Sequence, residues 1–308
     1  LLETANRAGD EEIEAIMEEE RARNWVIATR GSALALAQTE IVRRLLKEKG
    51  IDTEIRVVST RGDKDRVRPL SEIGGKGLFV REVEREVISG RADIAVHSGK
   101  DLPYALAQGT LIAGIPKAGD ERDCLITRKG EGLFEGARIG TGSPRRMIQM
   151  KRLLPQAACV PIRGNVDTRL KKLREGEYDG IFLAKAGLER LHTDLSEFAV
   201  RIFSAQEFLP AACQGILAVQ CREEDEARRA VLEEISDPDS VCRFRAERCM
   251  LSLLEAECTD PVGAWTKIKG DRITIRALLG DRQAQRMGEA ADYERLCAEI
   301  ASELRTES

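Results

Sequence analysis

The chain has 308 residues, 42% hydrophobic and 33% charged, which is long enough for two or three domains with proper cores and ordinary for a soluble globular protein. No apolar run approaches the roughly 18 residues that span a bilayer, and the acidic N-terminus lacks a basic-then-apolar signal pattern, which speaks against secretion and for the cytoplasm. Eight cysteines without C-x-x-C spacing, and only His97 and His192 as imidazoles, give a zinc site little to work with. Free thiols in a reducing compartment, and no metal, are expected.

The formal net charge of −4 is unevenly spread. Residues 1–24 form an acidic extension with eight acids against three arginines, whereas residues 137–174 hold ten basic residues and one acid, Asp167. That cluster calls for an anionic partner. Aromatic residues are only 4% of the chain and none interleave with the basic ones, which weakens a nucleic-acid platform and leaves a small polycarboxylate as the better fit.

In chain order, Trp25-Val26-Ile27-Ala28-Thr29 predicts a buried strand, and Ser32 opens a helix whose apolar positions are Leu34, Leu36, Ile41, Leu45 and Leu46. A second strand is expected over 54–59, a mobile loop over 60–76, a helix over 77–88 and a strand over 93–97. Strands alternating with helices indicate a sheet covered on both faces. The alternation returns with strands at 138–140, 159–163 and 181–184, each of the first two followed by a helix. After a strand over 215–221 come helices over 224–235 and 239–257, strands over 263–269 and 272–279, and a last helix. The expected organisation is an α/β chain of three units: 25–115 with 216–233, 116–215, and a small α+β unit over 234–308.

Three strand-to-helix junctions are rich in arginine. Arg30-Gly31-Ser32 has the makings of an anion site, although Ser32 serves equally as a helix cap. Gly140-Thr141-Gly142-Ser143-Pro144-Arg145-Arg146 joins small residues to two guanidinium forks, and Arg163-Gly164-Asn165-Val166-Asp167-Thr168-Arg169 repeats the arrangement. Gly74-Gly75-Lys76-Gly77 lacks the Ser or Thr of a phosphate loop and predicts a helix-entry turn. In His97-Ser98-Gly99-Lys100-Asp101-Leu102-Pro103, Asp101 leaves the carboxyl end of a strand, where sheet ligands bind, and either stabilises a developing cation or forms a structural ion pair.

Taken together these motifs resemble the porphobilinogen deaminase (hydroxymethylbilane synthase) family. The resemblance continues through Gly176-Glu177-Tyr178-Asp179, Ala186-Gly187-Leu188 with Arg190-Leu191, and Leu209-Pro210-Ala211 with Gln214-Gly215. It implies two α/β domains like the halves of type II periplasmic binding proteins, a cleft between them, and a small α+β C-terminal domain. It also implies that Cys258, in Glu257-Cys258-Thr259-Asp260-Pro261, carries a dipyrromethane cofactor through a thioether. From composition alone Cys258 would be a small buried hydrophobe.

The implied activity is a transferase of tetrapyrrole and heme biosynthesis: four porphobilinogen molecules join head to tail with loss of ammonia, giving hydroxymethylbilane. Asp101 would hold pyrrole N–H groups, with Lys100 assisting. Arg145, Arg146 and Arg169, with Thr141 and Ser143, would bind the cofactor's acids; Arg30, Ser32, Gln38, Arg163 and Arg190 would serve the substrate. The family setting implies a monomer that binds neither nucleic acid nor membrane and passes its product to uroporphyrinogen III synthase.

Several positions depart from the family's usual residues. Gly99 stands for a Met or Leu and is expected to loosen the turn that aims Asp101; Cys213 stands for a glycine; Gly142 and Pro144 replace Ser and Leu; and Lys185 interrupts an apolar run. The main rival reading is a two-domain anion-binding protein without catalysis, against which the retained Asp101 and Cys258 argue.

Overall fold

A computed structural model describes residues 23–60, 80–130, 132, 134–256 and 260–306. The first stretch runs β1 (Trp25–Arg30), α1 (Ala33–Glu48), β2 (Thr53–Val58), α2 (Arg81–Ile88), β3 (Ile94–Ser98) and β4 (Thr110–Gly114). It continues with β5 (Asp123–Arg128), β6 (Arg138–Gly140), α3 (Pro144–Leu153), β7 (Ala158–Val160), α4 (Val166–Arg174), β8 (Gly180–Ala184), α5 (Lys185–Arg190) and β9 (Phe198–Ile202). The last third holds β10 (Leu217–Arg222), α6 (Glu226–Glu234), α7 (Pro238–Leu254), β11 (Val262–Lys269), β12 (Arg272–Leu279), β13 (Arg282–Glu289) and α8 (Tyr293–Arg305).

These strands make three sheets, ordered β2-β1-β3-β10-β4, β7-β6-β8-β5-β9 and β11-β12-β13. In the first, β1 lies parallel to β2 and β3, while β10 returns antiparallel between β3 and β4. The second repeats the plan: β6 is parallel to β7 and β8, and β5 runs antiparallel between β8 and β9. Each is an α/β sheet with one strand supplied across a connection to the other half, the architecture of the periplasmic-binding type. The third sheet is an antiparallel meander against α7 and α8, built around Ile273, Ile275, Met250, Leu296 and Ile300.

Local chemistry accounts for most boundaries. Ser32 caps α1 by accepting from the Ala35 N–H, Asn165 caps α4 from Thr168, and Asp237 caps α7 from Ser240. β7 stops at Val160 because Pro161 has no N–H to offer the ladder. The helix expected over 239–257 ends at Leu254, since Glu255 turns left-handed (φ 50°). The sequence reading passed over β13, an edge strand with little apolar alternation whose Met287 is exposed, although Gly280-Asp281 before it is a two-residue hairpin signal. The loop expected over 60–76 lies outside the described residues except for Thr60, as do 77–79 of the helix expected to follow it.

The chain crosses between the first two sheets twice, and the crossings touch: Gly119 N–H donates to Gly215 O at 3.0 Å. Gly215 has φ +86°, and a Cβ there would lie 2.5 Å from the Gly119 carbonyl oxygen, so only glycine fits. The crossings thus form a tight double hinge beneath the cleft.

Candidate active site

β3 delivers Lys100 and Asp101 on a single 3-10 turn, Gly99–Asp101, at the carboxyl edge of the first sheet. The turn is braced from outside. Gly99 N–H donates to Ile216 O at 2.9 Å, and Arg248 on α7 donates to the carbonyls of Leu102 and Tyr104 at 3.3 and 2.5 Å. Lys100 Nζ donates to Gln214 Oε1 at 3.3 Å. Burial pulls the Lys100 ammonium down to about 8; the Asp101 charge opposes this and Arg146 adds to it.

Across the cleft, α3 begins with Pro144 in its first turn, and Ser143 at the cap position makes no side-chain capping bond, leaving its hydroxyl for another partner. Arg145 and Arg146 point inward and share one carboxylate, Asp123 at the head of β5. Arg145 Nη1 reaches Asp123 Oδ2 at 2.8 Å, and Arg146 Nε and Nη2 reach Oδ1 at 3.0 and 2.6 Å. Burial alone would raise the Asp123 carboxyl, but the two guanidiniums outweigh it and hold the group well below the usual carboxylate range. Arg145 Nη1 also donates to Leu209 O, and Arg146 Nη1 to Phe182 O.

A cavity of about 170 Å³ lies where the three units meet, and Lys100, Asp101, Ser143, Arg145, Arg146 and Gln214 line it. The third unit contributes Ala256 and Asp260, which flank residues 257–259. Cys258 itself lies outside the described residues. The third sheet is pressed against this wall: a Cβ on Gly263 would sit 2.9 Å from Pro210 O and 3.1 Å from Arg145 Cδ.

The other expected residues do not line this cavity. Arg163 keeps a buried Nη1 with no hydrogen-bond partner. Arg169 donates Nε to Gly164 O at 2.8 Å, and burial, then the charges of Arg146 and Arg163, lower it to about 10. Neither has a carboxylate partner among the described residues, so positive charge here exceeds negative. That surplus, with an orphaned guanidinium nitrogen and an uncommitted Ser143 hydroxyl, suits a ligand bearing several carboxylates.

On the opposite wall, Arg30 ends β1 and Ser32 caps α1, while Gln38 Nε2 donates to Ser98 Oγ at 2.9 Å. Arg190 ends α5 and donates to Gly215 O at the hinge; burial lowers it to about 10. Thr141 is fully buried and its hydroxyl accepts from the Ser143 N–H at 3.2 Å, which shapes the turn that carries Ser143. Lys185 pairs with Asp120 at 3.0 Å and with Glu189, which settles it in an ion-pair network.

Sequence reasoning missed Asp123 and assigned no role to Gln214. Asp123 was legible only as an acid heading the apolar run Cys124-Leu125-Ile126. A charge at the head of a buried strand demands partners.

The family domain described as "Porphobilinogen deaminase, dipyromethane cofactor binding domain" matches residues 25–230, and "Porphobilinogen deaminase, C-terminal domain" matches 241–305. Porphobilinogen deaminase of Sorangium cellulosum is 41% identical over 294 residues, covering 91% of this chain and 97% of that protein. The Roseiflexus sp. protein of the same name is 40% identical over 291 residues, covering 91% and 95%. A probable porphobilinogen deaminase of Methanosarcina mazei is 44% identical over 273 residues, covering 86% and 85%. The two domain matches together span the three sheets and every residue gathered at the cavity, and the chain belongs to the porphobilinogen deaminase family.

Proposed function

We propose that this chain is a transferase that condenses four porphobilinogen molecules head to tail into hydroxymethylbilane, with release of ammonia, and that Asp101, Lys100 and the cleft arginines carry the reaction. The observation that supports it most is the convergence of the Lys100–Asp101 turn, Ser143 and the Arg145–Arg146 pair on one cavity whose third wall includes Ala256 and Asp260, the described residues on either side of 257–259 in the sequence.

The proposed attachment of a dipyrromethane through a thioether to Cys258 fits that wall. When bound, the dipyrromethane supplies the nucleophilic pyrrole carbon on which the product is built. The residues of the chain do the rest. Asp101 accepts pyrrole N–H groups and stabilises the positive charge that develops on them. Lys100, lowered to about 8, keeps its proton at neutral pH yet can release it nearby. Arg145, Arg146 and Arg169, with Ser143, take acetate and propionate groups of the cofactor. Arg163, Arg190, Arg30, Ser32 and Gln38 take those of incoming substrate.

The three-unit division (25–115 with 216–233, 116–215, 234–308) belongs to the same reading and is supported by the three sheets. So do a cytoplasmic monomer and transfer of product to uroporphyrinogen III synthase, the setting implied by the family. Among the described residues, no helix is long and apolar enough to cross a membrane.

The test is an intact mass of the purified protein beside Cys258→Ser, followed by incubation with porphobilinogen. A mass excess of two linked pyrrole units, absent from the variant, together with ammonia release, supports the reading. An unmodified mass that stays unmodified after incubation, with no ammonia, removes it.

A further inference from the structure

The buried amide of Gln214 lies between Lys100 of the first half of the site and Asp123 of the second. It is 1% exposed and sits in the second crossing segment, immediately before the hinge residue Gly215. Its Nε2 donates to Glu121 O at 2.7 Å and to Asp123 Oδ1 at 3.2 Å, and its Oε1 accepts from Lys100 Nζ at 3.3 Å. The orientation of the amide follows from its neighbours. An ionised carboxylate can only accept and an ammonium can only donate, so nitrogen must face Asp123 and oxygen must face Lys100. Gln214 is also clamped from the third unit, since Arg243 donates to its carbonyl at 2.9 Å and pairs with Glu121 at 3.4 Å.

A continuous chain of contacts therefore runs from Lys100 through Gln214 to Asp123 and on to Arg145 and Arg146. We propose that Gln214 is a positioning residue: its amide fixes the Lys100 ammonium beside Asp101 and ties it to the arginine pair, with no charge of its own. This rests on Lys100 serving the reaction as proposed above. A carboxylate in this place would repel Asp123 and bind Lys100 more tightly. An apolar side chain would leave the ammonium without its acceptor and Asp123 without one donor. Neutrality with two-sided polarity is the property the position requires.

The groups that face Lys100 are Asp101 on its own turn, Arg145 and Arg146 on α3, Asp123 on β5, and Asp260 across the same cavity. Substitutions at 214 keep all of these charged groups and change the acceptor of Lys100 together with one donor to Asp123. Gln214→Glu adds a negative charge and favours the protonated lysine, whereas Gln214→Met removes a hydrogen bond that favours it. The two variants are therefore expected to move the Lys100 proton in opposite directions, each by about one pH unit.

The experiment follows acylation of Lys100 by acetic anhydride against pH, read by peptide mass spectrometry, in the purified full-length protein and in both variants. Thermal unfolding confirms that each is folded. A midpoint raised in Gln214→Glu and lowered in Gln214→Met supports the proposal, and Gln214→Met alone suffices should the carboxylate prevent folding. Midpoints that stay with the parent, or that move in one direction in both variants, overturn it. Labelling reads the lysine proton whether or not Lys100 takes part in turnover. The functional reading is tested separately: Lys100→Met turning over normally with its cofactor loaded would strike that reading and leave the labelling result standing.

Discussion

Gly99 faces Cys213 so closely that a Cβ on Gly99 would lie 3.0 Å from the Cys213 Cβ and 3.3 Å from its carbonyl oxygen. The two positions expected to depart from the family's usual residues thus face each other. Bulk absent from the catalytic turn is supplied by the crossing segment, and Gly99 is buried, its N–H bonded to Ile216 O. The expected loosening of the turn is offset by packing from the other side.

This pairing has a cost and a test. Cys213 holds φ 59°, a left-handed conformation that disfavours residues other than glycine by roughly 1–2 kcal/mol. Gly99→Met alone should destabilise by about 1–3 kcal/mol through overpacking against Cys213. Adding Cys213→Gly should recover most of that, a coupling of at least about 1 kcal/mol in chemical denaturation. Strictly additive single and double variants would show that the two positions are independent.

Asp123 is the single carboxylate between two buried guanidiniums. Asp123→Asn leaves both charges uncompensated and is expected to cost about 3–5 kcal/mol. The loss should appear as a lower urea midpoint, with reduced cofactor loading in the intact mass. A midpoint unchanged from the parent would mean that the arginines find other partners.

Lys100 makes stability depend on pH in a definite direction. Its folded value, about 8, lies below the unfolded 10.5, so between these limits the unfolded chain binds more protons. Stability attributable to this group therefore rises as pH climbs from about 8 to 10.5. The gain is roughly 2 kcal/mol, less than the full shift because the cavity admits solvent. Comparison of unfolding curves for the parent and Lys100→Met across that range isolates the contribution, and parallel curves would contradict the burial of the ammonium.

Arg163, with its orphaned nitrogen, should matter to ligand and not to fold. Arg163→Met is expected to leave the thermal midpoint within a degree or two, because it also relieves repulsion on Arg169. KM for porphobilinogen should rise on the order of tenfold, as expected for one lost charge-assisted contact. A large drop in stability would mark Arg163 as structural.

Asp101→Ala should lower turnover by about 10²–10³-fold while cofactor loading persists, if the carboxylate stabilises charge that appears only during reaction. Normal turnover in the loaded variant would falsify its assignment.

Much was legible along the chain because its causes are local. Ser32, Asn165 and Pro144 announce helix starts, the apolar run at Trp25 announces β1, and the glycine-arginine junctions announce the anion-rich face. β13 and Asp123 were not legible, since one is an exposed edge without period and the other derives its meaning from residues 22 and 23 positions away on another element.

The sequence by itself determined the element types, the two-fold repetition of the α/β plan and the residue types at the cleft, because caps, turn residues and apolar periodicity act within a few residues. Only the tertiary structure decided which of the cleft's charged groups meet. Arg145 and Arg146 share the single charge of Asp123 and Arg190 reaches the Gly215 carbonyl at the hinge, whereas Arg163 retains an unpartnered nitrogen. Burial and charge pairing are set by the neighbours that folding brings together, and those neighbours come from different elements, as Asp123 on β5 and the arginine pair on α3 show.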